Sequence, residues 1–566
     1  MKQAGKNGIR ILMAGILFLL LFSGTALAEK ALTAACPSRS GEKVTARLGK
    51  DGYVLSLPGF WDLANVRLEL EGSGTVWLGS GKQEIRAGEE TDLTGFAGKR
   101  TVLRGEKQSD TGYVTILQGS AIPALFLEVD EKRLQQVNYS KDKQITEGRA
   151  VYAEADGNIS YEGPIDQLKG RGNNTFRYKK KPYQIKLREK ASLSGMGNGR
   201  TWVLLANWTD VSQLRNRIMQ DMAAEIGLKN AVQCVHADVW INGQYQGLYL
   251  IVEKIQIGKE RIPITNLEKA TEKVNLSPLE PGELKTVKST QYPLMRFYPS
   301  IQDPEDITGG YIFTIEKYHR LQNTKLEGFR TKENLSIHIK EPTRPSKAQA
   351  EYLFGAVSRM QRALDDPEGR DPETGKTLDE CLDRTSFAQM FLLEDWCKND
   401  DFTGGSIFMY KDSDTVDEKI YAGPAWDFDL SFGNMADKGT NPQGNWVVSV
   451  HNSSNIWWSL DRHESFRETV AGIWRNSFRP AAAVLLGDAE PRPGSRLKSL
   501  DAYREEIAAS VNMNYHRWPV SKDATEKAAR GSFDSAVNYL KKWIRSRTGA
   551  LDERYAEANE SSQKTK

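Results

Sequence analysis

The residues best suited to chemistry lie between Lys398 and Asn434. Here Lys398-Asn399-Asp400-Asp401 precedes a Gly404-Gly405 pair, and Trp426-Asp427-Phe428-Asp429-Leu430-Ser431-Phe432 follows a short polar interval. If Trp426 to Phe432 is extended, Asp427, Asp429 and Ser431 share one face, and the aromatic and leucine side chains share the other. The two carboxylates then stand about 7 Å apart, two residues of rise along a strand. Anions held that close repel unless a cation or a proton sits between them. A divalent ion answers that need, and oxygen-only ligands favour Mg, Mn or Ca. Phe408-Met409-Tyr410 and Lys419-Ile420-Tyr421 predict a hairpin around a polar turn. That hairpin carries the segment before Ser406 back beside Trp426 to Asp429, so Asp400 and Asp401 approach the other two acids. Acids gathered in this way, with glycines permitting close approach, suit phosphoryl transfer through a bound metal. The plainer alternative is an acidic loop solvated at a hairpin end.

Upstream, Gly170-Arg171-Gly172-Asn173 forms a glycine turn, followed by Lys179-Lys180-Lys181 and Tyr183-Gln184-Ile185-Lys186-Leu187. Two glycines without a third are weak evidence of a phosphate loop. Their order before a strand lysine and the downstream acids gives them meaning. Tyr183, Ile185 and Leu187 alternate with Gln184 and Lys186, so Lys186 points away from the oily face, towards solvent or towards a nucleotide cleft. Lys179 to Lys181 read as a solvated basic turn. Arg215 follows Asp210 and Ser212, either of which suits a helix N-cap; it fits a phosphate contact or a buried salt bridge. Asn242-Gly243 marks a hairpin turn whose second strand ends at Glu253.

The elements that must position these groups are legible as a mixture. From Val44 to Gln118, short β segments with glycine-rich breaks predict a small β-sandwich, an accessory domain over 29–120 that could bind a wall, glycan or protein. Strands are expected at Tyr183–Leu187, Trp202–Leu205, Ala237–Ile241, Gly247–Glu253 and Tyr311–Glu316. Helices are expected at Ser212–Ile226, Ser346–Asp365 and Arg384–Lys398. Residues 268–306, rich in Pro, Glu, Lys and Ser, read as an irregular insertion. From about 460 the chain reads as helical, with a polar tail over 556–566. The class is α+β.

Composition excludes several alternatives. With 566 residues, 39% hydrophobic and 27% charged, the chain is folded and too long for one compact core. Its 77 basic and 74 acidic residues leave a charge of +3, too balanced for a nucleic-acid partner. Lys2, Lys6 and Arg10 precede an apolar run from Ile11 to Phe22 and Ala26-Leu27-Ala28, which predicts a cleaved export signal over 1–28. Those three residues are the whole positive excess, and no transmembrane segment is expected after cleavage. Cys36, Cys234, Cys381 and Cys397 form no metal spacing; Cys381 and Cys397 could bridge or stay free. The six histidines show no ligand pattern.

Taken in order, these pieces resemble the CotH family, the spore-coat protein H type of atypical protein kinase. The shared motifs are Lys169-Gly170-Arg171-Gly172-Asn173, Lys180-Lys181-Pro182-Tyr183-x-Ile185-Lys186 and Leu214-Arg215-Asn216. Further along they include Asn242-Gly243-x-Tyr245-x-Gly247-Leu248-Tyr249, Lys398-Asn399-x-Asp401, Met409-Tyr410-Lys411-Asp412, Trp426-Asp427-Phe428-Asp429 and Asn514-Tyr515-His516-Arg517-Trp518. The resemblance runs from about Ile122 to Arg547 and leaves the β-rich start outside. It implies a protein-kinase-like domain over 121–555 that binds ATP with Mg (or Mn) and phosphorylates Ser or Thr of a protein substrate. On that basis Asp401 serves the acceptor hydroxyl, Asp427 and Asp429 hold metal, and Lys186 neutralises phosphate beside the Gly170–Asn173 cover. Arg215 and Glu253 join the nucleotide-binding set. Ser406 stands where ordinary kinases carry a metal-binding Asn, and no Asp-Phe-Gly is present, so the principal ligand of Asp427 and Asp429 is left open. The export signal points to an envelope or extracellular substrate. The competing classes are a catalytically weak surface adhesin or spore and envelope assembly protein, and a metal-dependent hydrolase on the same acids.

Overall fold

The computed structural model describes residues 30–37, 42–79, 83–275, 282–434, 441–451, 454–520 and 531–564. The expected export signal, residues 1–28, lies outside the described residues. Among the described residues no helix is long and apolar enough to cross a membrane.

Seven strands build the unit that carries the glycine turn. Gly199–Leu205, Tyr183–Ala191, Ile159–Gly170, Gly148–Ala153, Ala124–Val129, Cys234–Ile241 and Gln244–Glu253 pair in that order. The last returns to the first through Trp202↔Glu253 to Leu205↔Leu250, which closes the ring as a barrel. Alternation fills it: Ile185, Leu187, Trp202, Leu204, Val239 and Ile251 share one buried cluster inside. Val203, Leu250 and Val252, one residue out of phase, pack in a different cluster outside. The Asn242-Gly243 turn has φ of +51° and +74°, the pair of positive angles a two-residue hairpin needs.

A second sheet, of seven strands, orders Lys285–Val287, Leu294–Phe297, Gly328–Arg330, Ser336–Glu341, Tyr311–Ile315, Phe408–Lys411 and Ile420–Ala422. The expected hairpin is present, with Met409↔Ala422 and Lys411↔Ile420 in register. One face of this sheet, through Phe313, Ile337, Ile339 and Met409, joins the main core with helices Lys347–Asp365 and Arg384–Cys397. The stretch read as an irregular insertion is partly regular: it holds helix Leu267–Val274 and two of the strands. Its charged composition hid them, but Leu294, Met295 and Phe297 are buried. Helices Leu500–Arg517 and Phe533–Lys564 close the chain, the latter running into the segment read as tail.

At the start of the chain, Lys43–Thr45, Leu32–Ala35, Val66–Leu70 and Glu90–Thr91 form the continuation of the barrel's sheet, joined through Gln244↔Thr45. A six-stranded sheet, Arg47–Gly49 to Gln83–Arg86, packs with it. The shared core of Leu32, Val44, Leu55, Leu68 and Ile116 also takes in Phe126, Trp240, Tyr245 and Met513. This region is therefore cemented to the barrel and the Leu500–Arg517 helix, which its turn-rich sequence does not reveal. All four cysteines are buried, and none of them forms a disulfide.

The same helix explains two of the motifs that carry the resemblance. Asn514 Oδ1 accepts from Leu248 N–H at 3.2 Å, and Trp518 Nε1–H donates to Gln246 O at 2.6 Å. Ser510 Oγ donates to Asp238 at 2.6 Å, which also accepts from Tyr245. Gly247 sits at the contact with φ of +122°, where a Cβ would lie 2.7 Å from Asn514 Oδ1. Gly247→Ala is therefore expected to cost about 1–3 kcal/mol from the backbone angle alone, more with the clash, read as a lower urea midpoint.

Candidate active site

The glycine turn and the acids face each other across a cleft of about 670 Å³ between the barrel and the second sheet. The barrel side contributes Arg171 to Thr175, Pro182 and Leu205 to Trp208. The other side contributes Glu316, Lys317, Arg320, Lys340, Asp401, Ser406, Asp427 and Asp429.

The acids do not sit on a strand as expected. Asp427 has φ of +68° and Phe432 +50°, so the alternation of an extended chain is broken at both. The bonds a ladder would have made go to helix Arg215–Glu225 instead. Gln220 Nε2 donates to Ala425 O at 2.9 Å, Phe428 N–H donates to Asn216 Oδ1 at 2.8 Å, and Arg215 Nε donates to Ser431 O at 2.9 Å. Three anchors on one helix face hold the loop in a left-handed turn that an isolated Asp would avoid. Phe428 and Phe432 remain buried, and Asp427 and Asp429 both line the cleft, close enough for each to act on the other's carboxyl.

Electrostatics follow from that proximity. Loss of solvent raises the Asp427 carboxyl, and the charge of Asp401 adds to it; Arg171, Ser406 and Asp429 work the other way. Asp429 is likewise pushed up by desolvation first and by Asp427 second. Ser406 Oγ donates to Asp427 at 3.2 Å, and Thr209 Oγ1 donates to Asp429 at 3.2 Å. Beneath them Glu394 is fully buried and pushed up to about 8, by burial above all.

Asp401 follows the C-terminus of helix Arg384–Cys397, which Lys398 ends with φ of +48°. Lys398 turns away from the acids: its Nζ donates to the carbonyls of Asn441 and Gln443. Asn399 ties the two acidic segments together, its Nδ2 reaching Asp427 O at 3.4 Å. Asp401 Oδ1 meets Lys317 Nζ at 3.1 Å.

On the barrel side Gly170 lies under Phe176, with no room for a Cβ, and Gly172 takes φ of +84°. Arg171 stands 5.4 Å over the Trp426 ring and senses the charge of Asp427. The Asn173 amide oxygen, turned towards Arg320, accepts from both guanidinium nitrogens at 3.3 Å. Lys340 is pushed down to about 8 by burial, with the charges of Arg320 and Arg171 adding to the effect and Glu316 opposing it.

The sequence-predicted residues thus divide. Asp401, Asp427, Asp429, Arg171, Gly172 and Asn173 line the cleft, and Gly170 supports the turn. Lys186 does not line it: it pairs with Gln167 and Thr201 in the barrel wall, facing outwards near Asp166. Arg215 is fully buried against Asp210 at 2.6 Å and acts through Ser431 rather than at the cleft surface. Glu253 is occupied by Arg261 at 2.5 Å and by the Gln233 N–H. The basic turn read as solvated is only partly so, because Lys180 is buried and donates to Leu248 O. Lys340, Arg320 and Lys317 escaped the sequence reading, and Asn216 was read only as part of the Leu214-Arg215-Asn216 motif, with no role. Lys340 had a signal: Ile337 and Ile339 face the core, so His338 and Lys340 must face the other side.

Among the described residues no three His, Cys, Asp or Glu side chains converge as a metal cluster. The oxygen-only pair Asp427 and Asp429, desolvated and in contact, nonetheless fits a hard divalent cation, with the Ser406 hydroxyl beside it.

No curated protein matches the chain. The model of the CotH family, described as CotH kinase protein, matches residues 168–551, well over half of the sequence and spanning both walls of the cleft. The chain belongs to the CotH kinase protein family.

Proposed function

We propose that this chain is an exported protein kinase that transfers the γ-phosphate of ATP to Ser or Thr of an envelope or extracellular protein. The observation that carries the reading is the cleft itself, in which Arg171 of the glycine turn stands over Trp426 beside the Asp427 and Asp429 pair. Asp427 and Asp429 would hold Mg or Mn, which supplies charge neutralisation to the transferring phosphate. Arg171, Lys340 and Arg320 line the cleft as cations for the phosphate chain, and Asn173 steadies the turn through Arg320. Asp401 orients the acceptor hydroxyl and takes its proton. Arg171 and Lys340 replace Lys186 in this scheme, because Lys186 stands outside the cleft.

The test is labelled ATP with Mg and the mature protein. Label on protein supports the kinase; ATP loss without protein labelling supports a hydrolase; neither leaves the adhesin or assembly role. Arg171→Ala is expected to reduce transfer about tenfold to a hundredfold, while Lys186→Ala stays within about twofold of wild type. A large loss at Lys186 with none at Arg171 would reverse the assignment.

A further inference from the structure

We infer, on the kinase reading above, that Lys317 is a positioning residue for Asp401, delivered to it by a strand end rather than by the catalytic segment itself. Lys317 Nζ lies 3.1 Å from Asp401 Oδ1, although the two are 84 residues apart in sequence. The contact is built by backbone. Strand Tyr311–Ile315 ends at Glu316, whose Oε1 accepts from the Lys317 N–H at 2.9 Å. That carboxylate is itself buried and paired with Arg320 at 3.0 Å, so the turn carrying Lys317 is fixed from below.

The acidic loop is laid against this turn by the Gly404-Gly405 pair. Gly405 N–H donates to Ile315 O at 2.8 Å, and Gly404 N–H closes back on Asp401 O at 3.0 Å. Gly404 has φ of +151° and Gly405 +103°, and a Cβ on Gly404 would meet the Glu316 carbonyl carbon at 3.3 Å. Only glycine lets the loop lie this close. The pair of glycines therefore serves the Lys317–Asp401 contact as well as room for a ligand.

A base of this kind needs one carboxylate oxygen free and its charge kept. With Lys317 on Oδ1, Oδ2 is left for the acceptor hydroxyl, and the ammonium offsets the repulsion from the nearby Asp427. In the step, the acceptor O–H gives its proton to Asp401 Oδ2 and its oxygen bonds to the γ-phosphorus. The bond from phosphorus to the bridging oxygen breaks, and ADP leaves with that electron pair. Lys317 touches neither phosphate nor acceptor in this scheme. It sets the orientation and charge of the base.

The pair is too exposed to matter for stability, at 42% and 27% for the two side chains. This separates its roles experimentally. Protein labelling is measured across Mg-ATP concentrations for wild type, Lys317→Ala and Lys317→Arg, with melting temperatures alongside. Lys317→Ala is expected to lower the maximal rate about tenfold to a hundredfold, with the ATP half-saturation unchanged and the melting temperature retained. Lys317→Arg should recover most of the rate. If Lys317→Ala labels at the wild-type rate, or Lys317→Arg recovers none of the lost rate, the positioning role is overturned while the kinase reading stands. If wild type itself transfers no phosphate, the kinase reading falls and takes the inference with it.

Discussion

Asp427→Ala is expected to lower phosphate transfer by about 10²–10³-fold or more, while the protein stays folded and melts no lower than wild type at neutral pH. Asp427 lies where four influences meet: Asp401 as a like charge, and Arg171, the Ser406 hydroxyl and Asp429 as partners that oppose the rise. Two carboxyls drawn out of water in contact are a cost to the fold, and alanine removes half of it. Asp429, whose rise owes most to burial and next to Asp427, should then fall back towards the ordinary carboxylate range. The sign can be checked by pH. Asp429 is pushed up to about 8, above its unfolded value, so between the two the folded state binds the extra proton. Stability from this pair is thus lost as pH rises through that window. A divalent cation can take the proton's place. Mg at pH 8 should raise the melting temperature of wild type by a few degrees, on the order expected for a ligand well above its dissociation constant. The same Mg should do less at pH 5 and nothing for Asp427→Ala. A melting shift that survives in the variant would remove the pair from metal binding.

The acids were legible because their chemistry is local. Asp401, Asp427 and Asp429 announce themselves by type and crowding, and the hairpin that joins them needs only two short β runs and a polar turn. Alternation also placed Lys186 correctly away from the oily face. It could not decide which of two outside surfaces that was, because barrel closure depends on Trp202↔Glu253 pairing across about fifty residues. Once the ring closes, Glu253 faces Arg261, and Lys186 faces outwards along the wall. The strand expected at Trp426 to Phe432 failed for a related reason. Its backbone bonds are taken by Asn216, Gln220 and Arg215, all from a helix two hundred residues earlier. Periodicity sees side chains, and here the deciding partners are carbonyls and amides.

Arg215 carries the second large expectation. It is fully buried, with Nη1 on Asp210 Oδ1 at 2.6 Å and Nε on the Ser431 carbonyl at 2.9 Å. Arg215→Met leaves Asp210 charged and buried without its cation, which costs about 3–5 kcal/mol in comparable pairs. It also frees Ser431, two residues beyond Asp429, so transfer should fall well beyond what lost stability explains. Arg215→Lys should not rescue either property, because one ammonium on a flexible stem lacks the planar fork that joins the two partners. The double variant Arg215→Met with Asp210→Asn tells the two jobs apart. Removing both charges should restore much of the urea midpoint, since no unpaired carboxylate remains. Activity should stay low, because the carbonyl anchor is still missing. If the double variant regains transfer along with stability, Arg215 holds only the fold, and the Asp427 to Phe432 loop keeps its shape through Asn216 and Gln220 alone.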